Sequence, residues 1–68
     1  MSPQQRLYAY FAGSRKDAAA KLGVTTETIR LWLRDGIPLD RSIEIEKKTD
    51  GFITAEEILR WEKKRKAA

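Results

Sequence analysis

The eighteen residues Asp17–Arg34, DAAAKLGVTTETIRLWLR, constrain this chain more than any others. Ala18, Ala19 and Ala20 let another helix approach closely, Gly23 can take the left-handed conformation that ends a helix, and Val24 can fill the corner that follows. Thr25 is a good N-cap for a restart over Thr26 to Arg34. In that second helix Ile29, Trp32 and Leu33 fall at i, i+3, i+4 and make one buried stripe. Thr26, Glu27, Arg30 and Arg34 fall on the other faces, with Leu31 close to the exposed side. The segment predicts a helix-turn-helix whose second helix suits the major groove of DNA.

The flanking residues supply three more helices. Ser2, Pro3 and Gln5 make a helix start: a capping hydroxyl, a proline at the first helical position and a glutamine that reaches back. The first helix is expected to run to about Ala12, to bury Leu7, Tyr10 and Phe11, and to stop at Gly13, with Tyr8 off the stripe. Ser14 caps the second helix, Arg15 to Leu22, and Asp17 offers a capping box; Ala18, Ala19 and Leu22 point inward. Ile37-Pro38 turns the backbone into a fourth helix starting near Leu39, with Ser42 and Ile45 as its deeper side. Thr49-Asp50-Gly51 stops it, Phe52-Ile53 is read as a short extended link, and Thr54 with Glu57 opens a fifth helix as a capping box. Ile58, Leu59 and Trp61 are its apolar content, and the basic run from Lys63 is expected to fray. The predicted class is all-α, a compact five-helix orthogonal bundle.

With 68 residues the chain supports one small domain. The division expected is a domain over residues 1–62 and a basic C-terminal tail over 63–68. There is no Cys and no His, so thiolate metal sites, disulfides and the commonest general base are missing. No apolar run is long enough to span a bilayer and no secretory start is present. The chain is expected to be cytoplasmic, to use no cofactor, metal or small-molecule ligand, and not to be an enzyme, its carboxylates being scattered.

The net charge of +4 belongs to the tail: Lys63, Lys64, Arg65 and Lys66 account for it, and the rest is neutral. Within that neutral part, residues 13–36 have five basic and three acidic side chains, and residues 38–58 three basic and six acidic. The domain is polarised, with one side suited to phosphates and one that avoids them.

The segment Arg15 to Arg34 resembles the helix-turn-helix of Cro-type and lambda-repressor-like phage regulators. The resemblance lies in Ala19, Gly23 four residues on, Val24 next to it, Ile29 six after the glycine and Trp32 three further. Downstream, IPLDRSIEIEKKTDGFITAEEI, Ile37 to Ile58, is similar to the Cro/YdaS-like group of prophage regulators. The chain departs from that group after the Thr-capped turn, where a longer helix and a basic tail replace a proline-containing segment. The resemblance implies a lambda-repressor-like fold with Ser14, Arg15 and Lys16 at a phosphate. It also implies base contacts from Thr26, Glu27 and Arg30, with Thr25 and Arg34 nearer the backbone. Arg30 suits guanine O6 and N7, Glu27 can accept from a cytosine N4, and Thr26 can touch a thymine methyl.

The bland counterpart is that Arg30 pairs with Glu27 or Asp35 on a solvated face, and that Arg34 complements the helix dipole. Trp32 and Trp61 read as core rather than base-stacking platforms. The function expected is a sequence-specific double-stranded DNA-binding regulator, a Cro-like repressor of phage or prophage origin. It would occlude a promoter as a homodimer on two half-sites of an operator. The alternatives are an antitoxin-like or adaptor module that binds a protein through the acidic stretch and the Trp61 end, and a MerR- or excisionase-type winged helix, which needs a β-hairpin between residues 37 and 54.

Overall fold

Capping decides where each helix of this chain begins. The computed structural model describes residues 1–67. Helix α1 is Pro3–Tyr10, α2 Arg15–Leu22, α3 Thr26–Asp35, α4 Ser42–Lys48 and α5 Ala55–Ala67, with a 3-10 turn at Leu39–Arg41 before α4. Among the described residues there is no strand, so the hairpin that a winged helix needs is replaced by the 3-10 turn and α4. The chain is an all-α five-helix domain.

Ser2 and Gln5 close the capping box of α1: Ser2 Oγ accepts from the Gln5 amide at 3.2 Å, and the Ser2 amide donates to Gln5 Oε1 at 2.9 Å. The helix ends two residues earlier than expected. Ala12 and Gly13 both take positive φ, 54° and 74°, and the Gly13 amide donates to the Tyr8 carbonyl at 2.9 Å. The early stop changes the buried stripe: Leu7 is buried, but Tyr10 at the last position is 40% exposed. Its ring lies against Phe11 and Phe52 at the surface.

Ser14 Oγ accepts from the Asp17 amide at 3.1 Å. The reciprocal half of that capping box is not formed, because the Ser14 amide already donates to the Phe11 carbonyl at 3.0 Å. Gly23 ends α2 in the left-handed region, φ 70° and ψ 32°, and Thr25 Oγ1 starts α3 by accepting from the Thr28 amide at 3.1 Å. Helices α2 and α3 pack on each other across this three-residue corner, α4 packs on α5, and α1 touches α2, α3 and α5. The core they share comprises Leu7, Ala18, Ala19, Leu22, Ile29, Trp32, Ile37, Ile45, Ile53 and Ile58.

In the second half the deeper side of α4 is Ser42 and Ile45, as expected, while Leu39 and Ile43 are exposed. Phe52-Ile53 is a bend rather than an extended link. Thr49 sets it: its buried hydroxyl donates to the Ile45 carbonyl at 2.8 Å and accepts from the Ile53 amide at 3.1 Å. Thr49→Val keeps the shape and leaves that amide unpaired in the core. The expected result is a loss of about 2 kcal/mol, which thermal unfolding would record as a drop of roughly 10 °C.

Thr54 and Glu57 form the expected capping box of α5, with bonds of 3.1 and 3.2 Å. Glu57 also pairs with Arg6 of α1, so one side chain both starts α5 and ties it to α1. Instead of fraying at Lys63, α5 continues to Ala67. Glu62 pairs with Arg65 and Lys66 one turn on, and Arg65 covers the Trp61 ring. Cations also suit a helix C-terminus. Ala68, the end of the expected tail, lies outside the described residues.

The junction between the two halves is Gly36. After α3 its backbone takes φ 104° and ψ 164°, a region open only to glycine. The Trp61 ring lies over it so closely that an added Cβ would sit 2.5 Å from a ring carbon. Trp32 is core, 6% exposed, whereas Trp61 is half-buried against this glycine rather than enclosed.

Candidate nucleic-acid interface

Two turns bring the polar side of the α2–α3 unit together. The Gly13 stop leads directly into the Ser14 cap, so Arg15 and Lys16 occupy the first turn of α2. The Gly23 corner then sets the start of α3 beside it. Between them lies an open cleft of about 530 Å³, lined by Tyr8, Gly13, Ser14, Arg15, Lys16, Thr26, Glu27 and Arg30.

Six residues singled out from the sequence, Ser14, Arg15, Lys16, Thr26, Glu27 and Arg30, therefore share one concave surface. Thr25 and Arg34 do not line it. Thr25 is occupied as the α3 cap, and Arg34 at the other end of α3 turns to Asp35, with bonds of 3.0 and 2.8 Å. Tyr8 and Gly13 belong to the cleft and were not expected there. The signal for Tyr8 was its place off the α1 stripe; its ring stands against Gly13.

The charges of the cleft are unevenly committed. Arg30 Nε donates to both carboxylate oxygens of Glu27, at 3.1 and 3.2 Å, and Nη2 donates to one of them as well. In the free protein Arg30 is thus paired with Glu27 on a solvated face. That hydrogen bond, with lesser help from the charges of Arg34 and Arg15, holds the Glu27 carboxyl below the usual carboxylate range. The same pairing raises the Arg30 guanidinium above its ordinary value. Asp35 is lowered by Arg34 in the same way. Both pairs are solvent-exposed, so they orient side chains far more than they stabilise the fold.

Arg15 and Lys16 are exposed, and neither forms an ion pair among the described residues. They sit where the first-turn amides of α2 also favour an anion. Chemically, the cleft offers cations and a helix start on one wall. The other wall carries a hydroxyl, a carboxylate and a guanidinium.

A smaller groove of about 180 Å³ lies elsewhere, lined by Met1, Pro3, Glu57, Arg60, Trp61 and Lys64. Among the described residues no three His, Cys, Asp or Glu side chains gather as a metal site, and no helix is long and apolar enough to cross a membrane.

No curated protein and no solved structure matches the chain significantly. A family model does match, over residues 6–64, and its description is bacterial toxin YdaS. The match contains the cleft, the Gly36 junction and most of α5. This chain belongs to the YdaS toxin family.

Proposed function

We propose that the chain is a sequence-specific double-stranded DNA-binding regulator that uses α2 and α3 as a Cro-like helix-turn-helix. The observation that carries this reading is the shared cleft, in which phosphate-type and base-type side chains stand on adjoining walls. Arg15 and Lys16, with the Ser14 turn, are the phosphate contacts that fix the register. Thr26, Glu27 and Arg30 meet base edges in the major groove. Thr25 and Arg34 flank them near the backbone.

The protein acts as a repressor of phage or prophage type in the bacterial cytoplasm, without a cofactor and without catalysis. Two copies occupy half-sites about one helical turn apart. Selection of binding sites from random duplex DNA tests this directly. The expected product is an enriched, two-fold related motif, with affinity that falls steeply with salt. Recovery of unenriched DNA contradicts the proposal.

The family's description as a bacterial toxin favours a second reading, in which the chain slows growth, with a protein as the alternative target to DNA. Growth measurements separate the two. If expression slows growth, Lys16→Ala and Arg30→Ala should relieve the effect when DNA is the target and leave it intact when a protein is.

A further inference from the structure

Among the described residues, Glu27 is the only acid lining a cleft that also contains Arg15, Lys16 and Arg30. A carboxylate facing phosphates weakens binding to any duplex, so its presence there needs a reason. Its geometry supplies one. Glu27 engages the Nε and Nη2 edge of Arg30, and Nη1 has no partner among those bonds. A guanidinium held by one edge still presents the Nη1–Nη2 fork at its tip, which is the fork that fits guanine O6 and N7.

We infer that Glu27 and Arg30 act as one unit that reads a G·C base pair, Glu27 being the specificity-determining partner that keeps Arg30 off phosphates. The inference rests on the DNA-binding reading above and deepens it. The physical basis is charge. Toward a phosphate anion the paired unit is neutral, so it gains little attraction and releases no counterion. Toward a base edge, which carries no net charge, its oriented donors remain fully effective. A G·C pair satisfies both members: guanine accepts from the Arg30 tip, and the cytosine N4 amino group donates to the free lone pairs of the Glu27 carboxylate. Both side chains are exposed, 48% for Arg30 and 62% for Glu27, so neither needs to leave the core to meet DNA.

A double-mutant cycle tests the inference. Wild type, Glu27→Gln, Arg30→Ala and the double variant are titrated by fluorescence anisotropy. The ligands are the selected duplex and a random-sequence duplex, over roughly 50 to 200 mM salt. Glu27→Gln frees Arg30 for phosphates, so affinity for the random duplex should rise about fivefold and its salt slope should steepen by about 0.9. Affinity for the selected site should fall about fivefold, as the N4 acceptor and the orientation of Arg30 are lost. In the Arg30→Ala background the gain on random DNA should shrink to about twofold, because relief of the carboxylate's repulsion remains but there is no guanidinium to release.

Equal gains in the two backgrounds would show that Glu27 acts only as a repelling charge, which overturns the inference and leaves DNA binding intact. A selected site without a G·C pair at the position protected by α3 overturns it as well. Wild-type protein that binds neither duplex overturns the DNA-binding reading itself, and the inference with it.

Discussion

Gly36→Ala should come close to unfolding the domain. At φ 104° and ψ 164° an alanine is strained by about 1 to 3 kcal/mol. Its Cβ would also sit 2.5 Å from the Trp61 ring, so the ring must leave its seat and α5 must shift with it. Together these cost about 3 to 4 kcal/mol, against a total stability of roughly 3 to 10 kcal/mol for a domain of this size. Thermal unfolding should show a fall of roughly 15 to 25 °C. The steric part can be separated from the backbone part. In a Trp61→Leu background the same substitution should cost about 1 kcal/mol less, because the ring is gone while the φ strain remains. A Gly36→Ala protein as stable as the parent would mean that Trp61 does not rest on this junction.

The second large effect concerns binding. Arg30→Ala should weaken the selected duplex by about 5- to 150-fold, the range expected when a bidentate guanine contact is lost. The effect should be confined to duplexes that carry the G·C pair. Lys16→Ala should behave differently, weakening all duplexes alike and making the salt slope shallower by about one, as expected for a phosphate contact. Neither residue is in the core, so unfolding temperatures should stay within about 2 °C of the parent. Equal, sequence-independent losses from both variants would remove Arg30 from base reading.

The contrast between local and long-range structure explains what could be read from the amino acids alone. The bounds of α2, the caps at Ser2, Ser14, Thr25 and Thr54, and the deep side of α4 are decided within three or four residues, and the sequence carries them openly. The Gly36–Trp61 contact joins residues twenty-five positions apart. Gly36 reads as an ordinary helix stop and Trp61 as a core residue; only the packed fold brings the Trp61 ring over the glycine. The continuation of α5 through its basic run followed from Glu62, whose pairs with Arg65 and Lys66 were present in the sequence but were outweighed by the charge of the segment.

Thr49 shows the same limit from another side. A threonine before Asp-Gly reads as turn chemistry, and its burial depends on Ile53 folding back over α4. In the cleft, the helix-turn-helix spacing picked out the residues of α2 and α3. Tyr8 enters from α1, which no spacing within residues 14–34 could reveal. The Arg30–Glu27 pair was visible at i, i+3. Which edge of the guanidinium Glu27 takes was not, and the choice of edge is what allows one residue to be paired and still read a base.

If the chain binds duplex DNA, the cleft between α2 and α3 should be the surface that meets it. Titration of nitrogen-15-labelled protein with the selected duplex, followed by backbone amide shifts, tests it most directly. The largest changes should fall at Tyr8, Gly13 to Lys16, and Thr25 to Arg34, with Ile43, Trp61 and Lys64 nearly unmoved. Changes centred on the Trp61 groove, or no changes at saturating duplex, would contradict it.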